Sequence, residues 1–261
     1  MTVSTDSVGT LVRRWRERRR RSQLDVSIAA DLSTRHLSYI ETGRSTPSRA
    51  MIERLCEELE VPLRDRNVFH LAAGFAPPHA ERAFEDLGQA RAAVRAVLAG
   101  HEPNPALAIN VRWELLDANR AMRAFLGDLP DHLTGPPLNV LRATLHPDGL
   151  APRIRNLPQW HRQVLRRVRR QLERTAAPAL VELYEELAGY PVPAEATPTE
   201  PDNDLVLPMR LTTDHGELAL LYATTVFGSP RDVTLDEIAI ETFFPADPAT
   251  AELLRRLATA G

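Results

Sequence analysis

The chain has 261 residues, 43% of them apolar, which suits one large domain or two small ones and excludes wholesale disorder. All 32 basic residues are arginine, and the absence of lysine excludes a P-loop, Schiff-base chemistry and a Ser–Lys dyad. The net charge of -3 conceals an asymmetry: residues 1–76 carry 13 arginines against 10 acids, and the remainder is acidic.

The first block reads as short helices over residues 8–70. Seven of the nine residues 13–21 are arginine, which makes either a solvated face or a set of phosphate contacts. Val12 and Trp15 mark the inner face of helix one. Ser22 is placed to cap a second helix with Asp25 three positions on, and Ser33 a third, apolar inside only at Leu37 and Ile40. Gly43 stands where a helix end wants a left-handed residue. LAAGFAPPH closes the block, since Gly74 and Pro77–Pro78 cannot continue a helix. Spacings of three and four then predict one amphipathic helix over 80–98, stopped by GHEPNP.

The second module mixes both periods. Strands are predicted at 106–110 and 113–117, helices at 119–126, 137–145, 158–175 and 178–188, and a proline-rich loop at 191–204. Strands at 205–213 and 217–227 flank a turn at Asp214-His215-Gly216, and a strand at 237–244 precedes a helix at 249–258. The expected fold class is an all-α N-terminal helix-turn-helix domain (1–76), a connecting helix and linker (77–103), and an α+β C-terminal domain (104–261) with a mostly antiparallel sheet.

The stretch SQLDVSIAADLSTRHLSYIETGRSTPS resembles the Cro/C1-type, or Xre-family, helix-turn-helix domain. The resemblance implies double-stranded operator DNA as partner, with the front of the third helix in the major groove and Arg16 paired to Glu41. Ser33, Thr34, Arg35, His36 and Ser38 lie on or at the start of that helix. Thr34 and Arg35 are the candidates for base edges, because arginine pairs bidentately with guanine. Gln23, Arg44 and Ser48 are the candidates for phosphate. Arg20 and Asp31 depart from the family, which has glycine at both positions; Asp31 tolerates a left-handed turn, whereas Arg20 implies a different end to helix one.

The rear module, with RIRNLPQWHRQVLRRVRRQ and TTVFGSPRDVTLDEIAIETFFPADPATAELL, resembles the MmyB-like transcriptional regulators, in which an Xre-type domain precedes a PAS-like ligand-binding domain. That resemblance implies a hydrophobic ligand, a fatty acid or acyl derivative, no other cofactor, and a homodimer. Candidates for the pocket wall are Trp113, Leu115, Phe125, Leu138, Leu141, Leu145, Trp160, Leu207, Leu220, Tyr222 and Phe243. Each reads first as plain core, which any domain of sheet and helices needs. Arg142, Arg153 or Arg120 is placed to meet a carboxylate.

Other classes have less to stand on. Without GxGxxG, HExxH or GxSxG, and with scattered histidines, no metal site and no enzyme is expected; His146 reads as a turn residue. Cys56 reads as core. No export signal opens the chain and no ~18-residue apolar run follows, so a cytoplasmic protein with no membrane contact is expected. The alternative reading keeps the DNA-binding domain and makes the rear module a dimerisation or protein-docking unit.

Overall fold

The computed structural model describes residues 6–175, 177–194 and 206–260. It divides into two compact units. The first comprises the chain up to Arg82 together with Ser229–Asp236, and the second runs from Ala83 to Gly228 and resumes at Glu237.

Five helices build most of the first unit: α1 (Val8–Arg18), α2 (Gln23–Ala29), α3 (Thr34–Glu41), α4 (Arg49–Glu58) and α5 (Leu63–Ala72). Serine starts four of them. Ser7, Ser22, Ser33 and Ser48 accept backbone N–H bonds from Thr10, Asp25, His36 and Met51, giving free donors a partner. The capping box of Ser22 and Asp25 is complete. Val12, Val26, Leu37, Ile40, Ile52 and Leu55 have no exposed surface and form the centre of this core.

The five helices also end alike. After the last turn, two backbone N–H groups reach back to carbonyls inside the helix, for example Arg20 to Glu17 and Arg21 to Arg16. That reversal needs a left-handed residue. Gly43 and Gly74 supply it for α3 and α5, but Arg20, Asp31 and Glu60 supply it for α1, α2 and α4, at φ of 52°, 54° and 49°. Helix one therefore ends with the same left-handed reversal as the four helices that follow it, with arginine at the position of the turn. Neighbouring contacts hold the turn: Arg19 and Arg21 donate to Leu59, Glu60 and Glu58 carbonyls at the end of α4. A left-handed non-glycine residue costs about 1 kcal/mol. Arg20→Gly is accordingly expected to raise the first unit's melting temperature by a few degrees, measured by thermal denaturation.

The remaining segment of this unit, 229–236, comes from far along the chain. Asp232 bridges Ala80, Val233 donates to the Ala80 carbonyl, and Asp236 Oδ2 accepts the Leu63 N–H at 3.3 Å. Pro62 gives α5 no side-chain cap, so Asp236 stands in for one.

In the second unit, α6 (Gln89–Gly100) leads into β1 (Ala106–Ile109) and β2 (Leu115–Ala118). Then come α7 (Arg120–Leu126), α8 (Asp131–Thr134), α9 (Val140–Leu145), α10 (Leu157–Thr175) and α11 (Ala179–Ala188). The chain returns through β3 (Met209–Thr213) and β4 (Gly216–Val226), leaves for the first unit's segment, which holds nearly all of a short α12 (Val233–Glu237), and ends in β5 (Ala239–Pro245) and α13 (Pro248–Ala260). All pairings are antiparallel, in the order β2-β1-β5-β4-β3. The expected α+β module with a helical block after the second strand is present.

Several predicted bounds move. The helix expected over 80–98 begins only at Gln89, because Gly88 (φ 53°) breaks the path and residues Phe84–Asp86 form a single tight turn. Periodicity misled here because Phe84, Leu87, Val94 and Leu98 are buried on either side of the break. The helix expected from 137 starts at Val140 behind the Asn139 cap. Strand β2 starts two residues late because Asn110 Oδ1 accepts the Arg112 and Glu114 N–H groups and holds a turn. Strand β3 starts at Met209; residues 195–205, including the predicted start of that strand and most of the proline-rich loop, lie outside the described residues. Helices α8 and α12 were not anticipated.

Candidate functional site

The helix-turn-helix presents one face of α3. Ser33, Thr34 and Arg35 are exposed, and His36 and Ser38 half-buried. Arg35 Nε donates to the Tyr39 hydroxyl at 2.9 Å, and the guanidiniums of Arg35 and Arg44 lie 5.3 and 5.8 Å from the Tyr39 ring centre. Two cations are thus held around one aromatic, which fixes long side chains at little further entropic cost. Tyr39, outside the expected set, is the residue that organises them. Thr34 Oγ1 lies 3.0 Å from the hydroxyl of buried Ser27, tying α3 to α2. His36 Nε2 lies 3.4 Å from Ser45 Oγ.

The residues expected on phosphate fare differently. Arg44 is exposed. Ser48 caps α4, and Gln23 is half-buried with its amide donating to Glu41 Oε2 at 2.8 Å. The arginine run is neither a plain solvated face nor a bare phosphate comb. Arg16, Arg19 and Arg21 are spent on Glu41 and on the end of α4, where cations complement the helix dipole.

Beneath this face sits the pair implied by the resemblance. Arg16 Nε and Nη2 meet Glu41 Oε1 and Oε2 at 2.6 and 3.0 Å, and the Glu41 side chain has no exposed surface. Burial pushes the Glu41 carboxyl up. The hydrogen bonds from Arg16 and Gln23 and the charges of Arg16 and Arg13 outweigh it, and hold the group below its ordinary value.

In the second unit, a cavity of about 70 Å³ opens between α10, the sheet and the helical block. Of the residues proposed for its wall, Phe125, Leu141, Trp160, Leu220, Tyr222 and Phe243 line it. Tyr222 and Phe243 are direct cross-strand partners on β4 and β5, and Trp160 meets Tyr222 edge-on at 5.5 Å. Trp113 and Leu145 are buried core rather than wall, and Leu207 is half-buried elsewhere. Trp113 donates from Nε1 to Gln171 at 2.8 Å.

None of the arginines chosen for a head group lines this cavity. Arg142 is held bidentately by Glu186, and Arg120 donates to the Ala258 carbonyl. Arg153 donates to the Thr212 carbonyl and lies 3.7 Å from Asp128. Arg120 and Arg153 line a second cavity of about 260 Å³, whose wall also includes Phe125. The polar residues of the first cavity are instead Thr144, Gln163, Arg167, Tyr222 and Glu241. A signal for two of them was present: Trp160, Gln163, Val164 and Arg167 share one helical stripe, with polar groups at +3 and +7.

Other candidates are quickly placed. Among the described residues, His132, His146 and Asp148 converge, with His132 Nε2 3.4 Å from Asp148 Oδ2. His146 Nδ1, however, accepts the Asp148 N–H at 3.1 Å, so the histidine terminates a turn, and we assign it no catalytic role. Cys56 is fully buried and its thiol is pushed up to about 12 by burial, which suits core and not a redox sensor. No helix among the described residues is long and apolar enough to cross a membrane.

Comparison with protein families accounts for both units. Residues 7–69 match a helix-turn-helix domain, and residues 90–257, more than half of the chain, match the MmyB-like transcription regulator ligand binding domain. No curated protein matches the chain. With a DNA-binding helical unit followed by a cavity-bearing sheet unit over the matched span, the chain belongs to the MmyB-like transcription regulator family.

Proposed function

We propose that this regulator binds operator DNA as a cytoplasmic homodimer through the front of α3, and that its second unit senses a hydrophobic amphiphile, a fatty acid or acyl derivative. The supporting observation is one of chain connectivity. Strands β4 and β5 supply Leu220, Tyr222, Glu241 and Phe243 to the cavity wall, and the segment joining those strands, 229–236, belongs to the first unit. A ligand that alters the strands therefore acts on both ends of a segment on which α5 depends for its cap. Coupling of this kind is reciprocal: DNA and ligand change each other's affinity by the same factor.

Size sets a condition. An apolar cavity of about 150 Å³ holds a single benzene, so one of about 70 Å³ takes only part of an acyl chain. Phe125 lines both cavities, so its side chain is common to the two walls. The smallness of the first cavity also favours the second reading, a dimerisation or docking module without small ligand.

Two substitutions test the proposal, and the second separates the two readings of the cavity. Arg35→Ala is expected to weaken binding to a selected operator about tenfold (~1.4 kcal/mol) and relax preference at one base position, read by fluorescence anisotropy; equal loss on random DNA would make Arg35 a phosphate contact. Leu141→Trp fills the cavity and should abolish the thermal shift produced by C10–C18 amphiphiles. If wild-type protein shows no such shift either, the docking reading replaces the ligand reading.

A further inference from the structure

We propose that the cavity in the second unit selects an apolar ligand with an uncharged polar head, an ester, ketone, amide or alcohol, and rejects the free carboxylate of the same chain; this rests on the reading of that cavity as the ligand site and, of the two ligand types proposed for it, keeps the acyl derivative and sets the free fatty acid aside. The charged side chains in its wall are Arg167 and Glu241, and they neutralise each other. Arg167 Nη1 meets Glu241 Oε2 at 3.1 Å, and Nη2 donates both to Oε1 and to Thr224 Oγ1. Its flat face is covered as well: the guanidinium carbon lies 4.5 Å from the Trp113 ring centre and 4.8 Å from that of Tyr222.

A carboxylate entering this cavity would meet a cation already committed on edge and face. Drawing Arg167 away would strand Glu241, whose side chain is only 6% exposed, as an unpaired buried charge. Leaving the pair intact would place two carboxylates on one guanidinium in a poorly solvated site, where one of them must take up a proton. Neither course is open without a large loss of affinity.

What the wall does offer is a donor. Trp160, a residue of this wall, is 5% exposed, and among the described residues its Nε1 has no hydrogen-bond partner. A buried N–H left unmade is costly and rare, and an ester, ketone, amide or hydroxyl oxygen would satisfy it without bringing charge. Close by, Gln163 Nε2 donates to the Tyr222 hydroxyl at 3.2 Å, giving the head a second polar neighbour. Thr144 spends its hydroxyl on the Val140 carbonyl, and the remaining wall, from Leu107 and Met122 to Phe243, is apolar and suits the chain.

The test uses the full chain, stripped of bound lipid, and three probes sharing one chain: decanoate, decanol and methyl decanoate at pH 7.5. Binding is read by tryptophan fluorescence and by thermal shift of the second unit. Decanol and methyl decanoate should bind at least tenfold more tightly than decanoate. Glu241→Gln, which releases Arg167, should reverse that order. Trp160→Phe, read by thermal shift, should weaken methyl decanoate about fivefold. Decanoate binding as tightly as the neutral probes to the unaltered chain overturns the proposal, whether or not the Glu241 variant folds. Unchanged methyl decanoate affinity in Trp160→Phe removes the assigned donor and overturns it too. If none of the three probes binds, it is the ligand reading itself that fails, and this inference with it.

Discussion

Glu41→Ala is expected to destabilise the first unit by about 3–5 kcal/mol, because removing one member of a buried pair leaves the other charged and unpartnered. Arg16 would lose both of its bonds to the carboxylate and Gln23 its acceptor. Differential scanning calorimetry should show the first unit's transition moving down by well over ten degrees while that of the second stays in place. A pH dependence accompanies this. The folded Glu41 carboxyl titrates below its ordinary value, so its contribution is fully present above the unfolded glutamate pKa of about 4.3. That contribution is lost as pH falls through the lower folded value. Glu41→Gln should therefore flatten the first unit's stability profile below about pH 4.3. A variant as stable as the parent at neutral pH would show that the pair contributes nothing.

Gly9→Ala is expected to cost about 3 kcal/mol, at the upper end for overpacking. A methyl carbon on Gly9 would sit 2.2 Å from the Ile40 carbonyl oxygen and 3.1 Å from the carbonyl of Glu41. Both are backbone, so α1 must move away from α3. The sign is diagnostic, since helix propensity alone favours alanine over glycine by about 1 kcal/mol. Displacing α3 also misplaces Arg35 and Thr34, so operator affinity should fall with stability. Stability rising to the level that propensity predicts would mean that the helices do not approach so closely.

How far such features could be read in the chain depended on whether the deciding interactions were local. The caps at Ser22 and Ser33, the inward Val12 and Trp15, and the hairpin over Asp214-His215 rest on neighbours a few residues apart, and each stands as expected. Gly88 escaped because apolar spacing continued across it. Arg20 escaped because its left-handed turn is held by side chains reaching residues about forty positions away. The direction of Gln23 was decided by Glu41, eighteen residues on.

The cavity follows the same rule. Its aromatic wall was legible, as bulky residues on strands and on the long helix. The polar end was not, because Arg167 on α10 and Glu241 on β5 lie 74 residues apart and only the packing of that helix against the sheet sets them together. Choosing Arg142 and Arg153 for a head group assumed that an arginine near the pocket is a free one; in the structure both are already engaged.

Ligand in the second unit is expected to change DNA binding by the first. The direct test is the dissociation constant for operator DNA, selected from a random pool at physiological salt, measured by fluorescence anisotropy with lipid-stripped full-length chain in the absence and presence of saturating methyl decanoate. Coupling between sites of this kind is typically 1–3 kcal/mol, so a change of roughly fivefold or more is expected, abolished by Leu141→Trp. An identical dissociation constant in both conditions, with the ligand demonstrably bound, would contradict it.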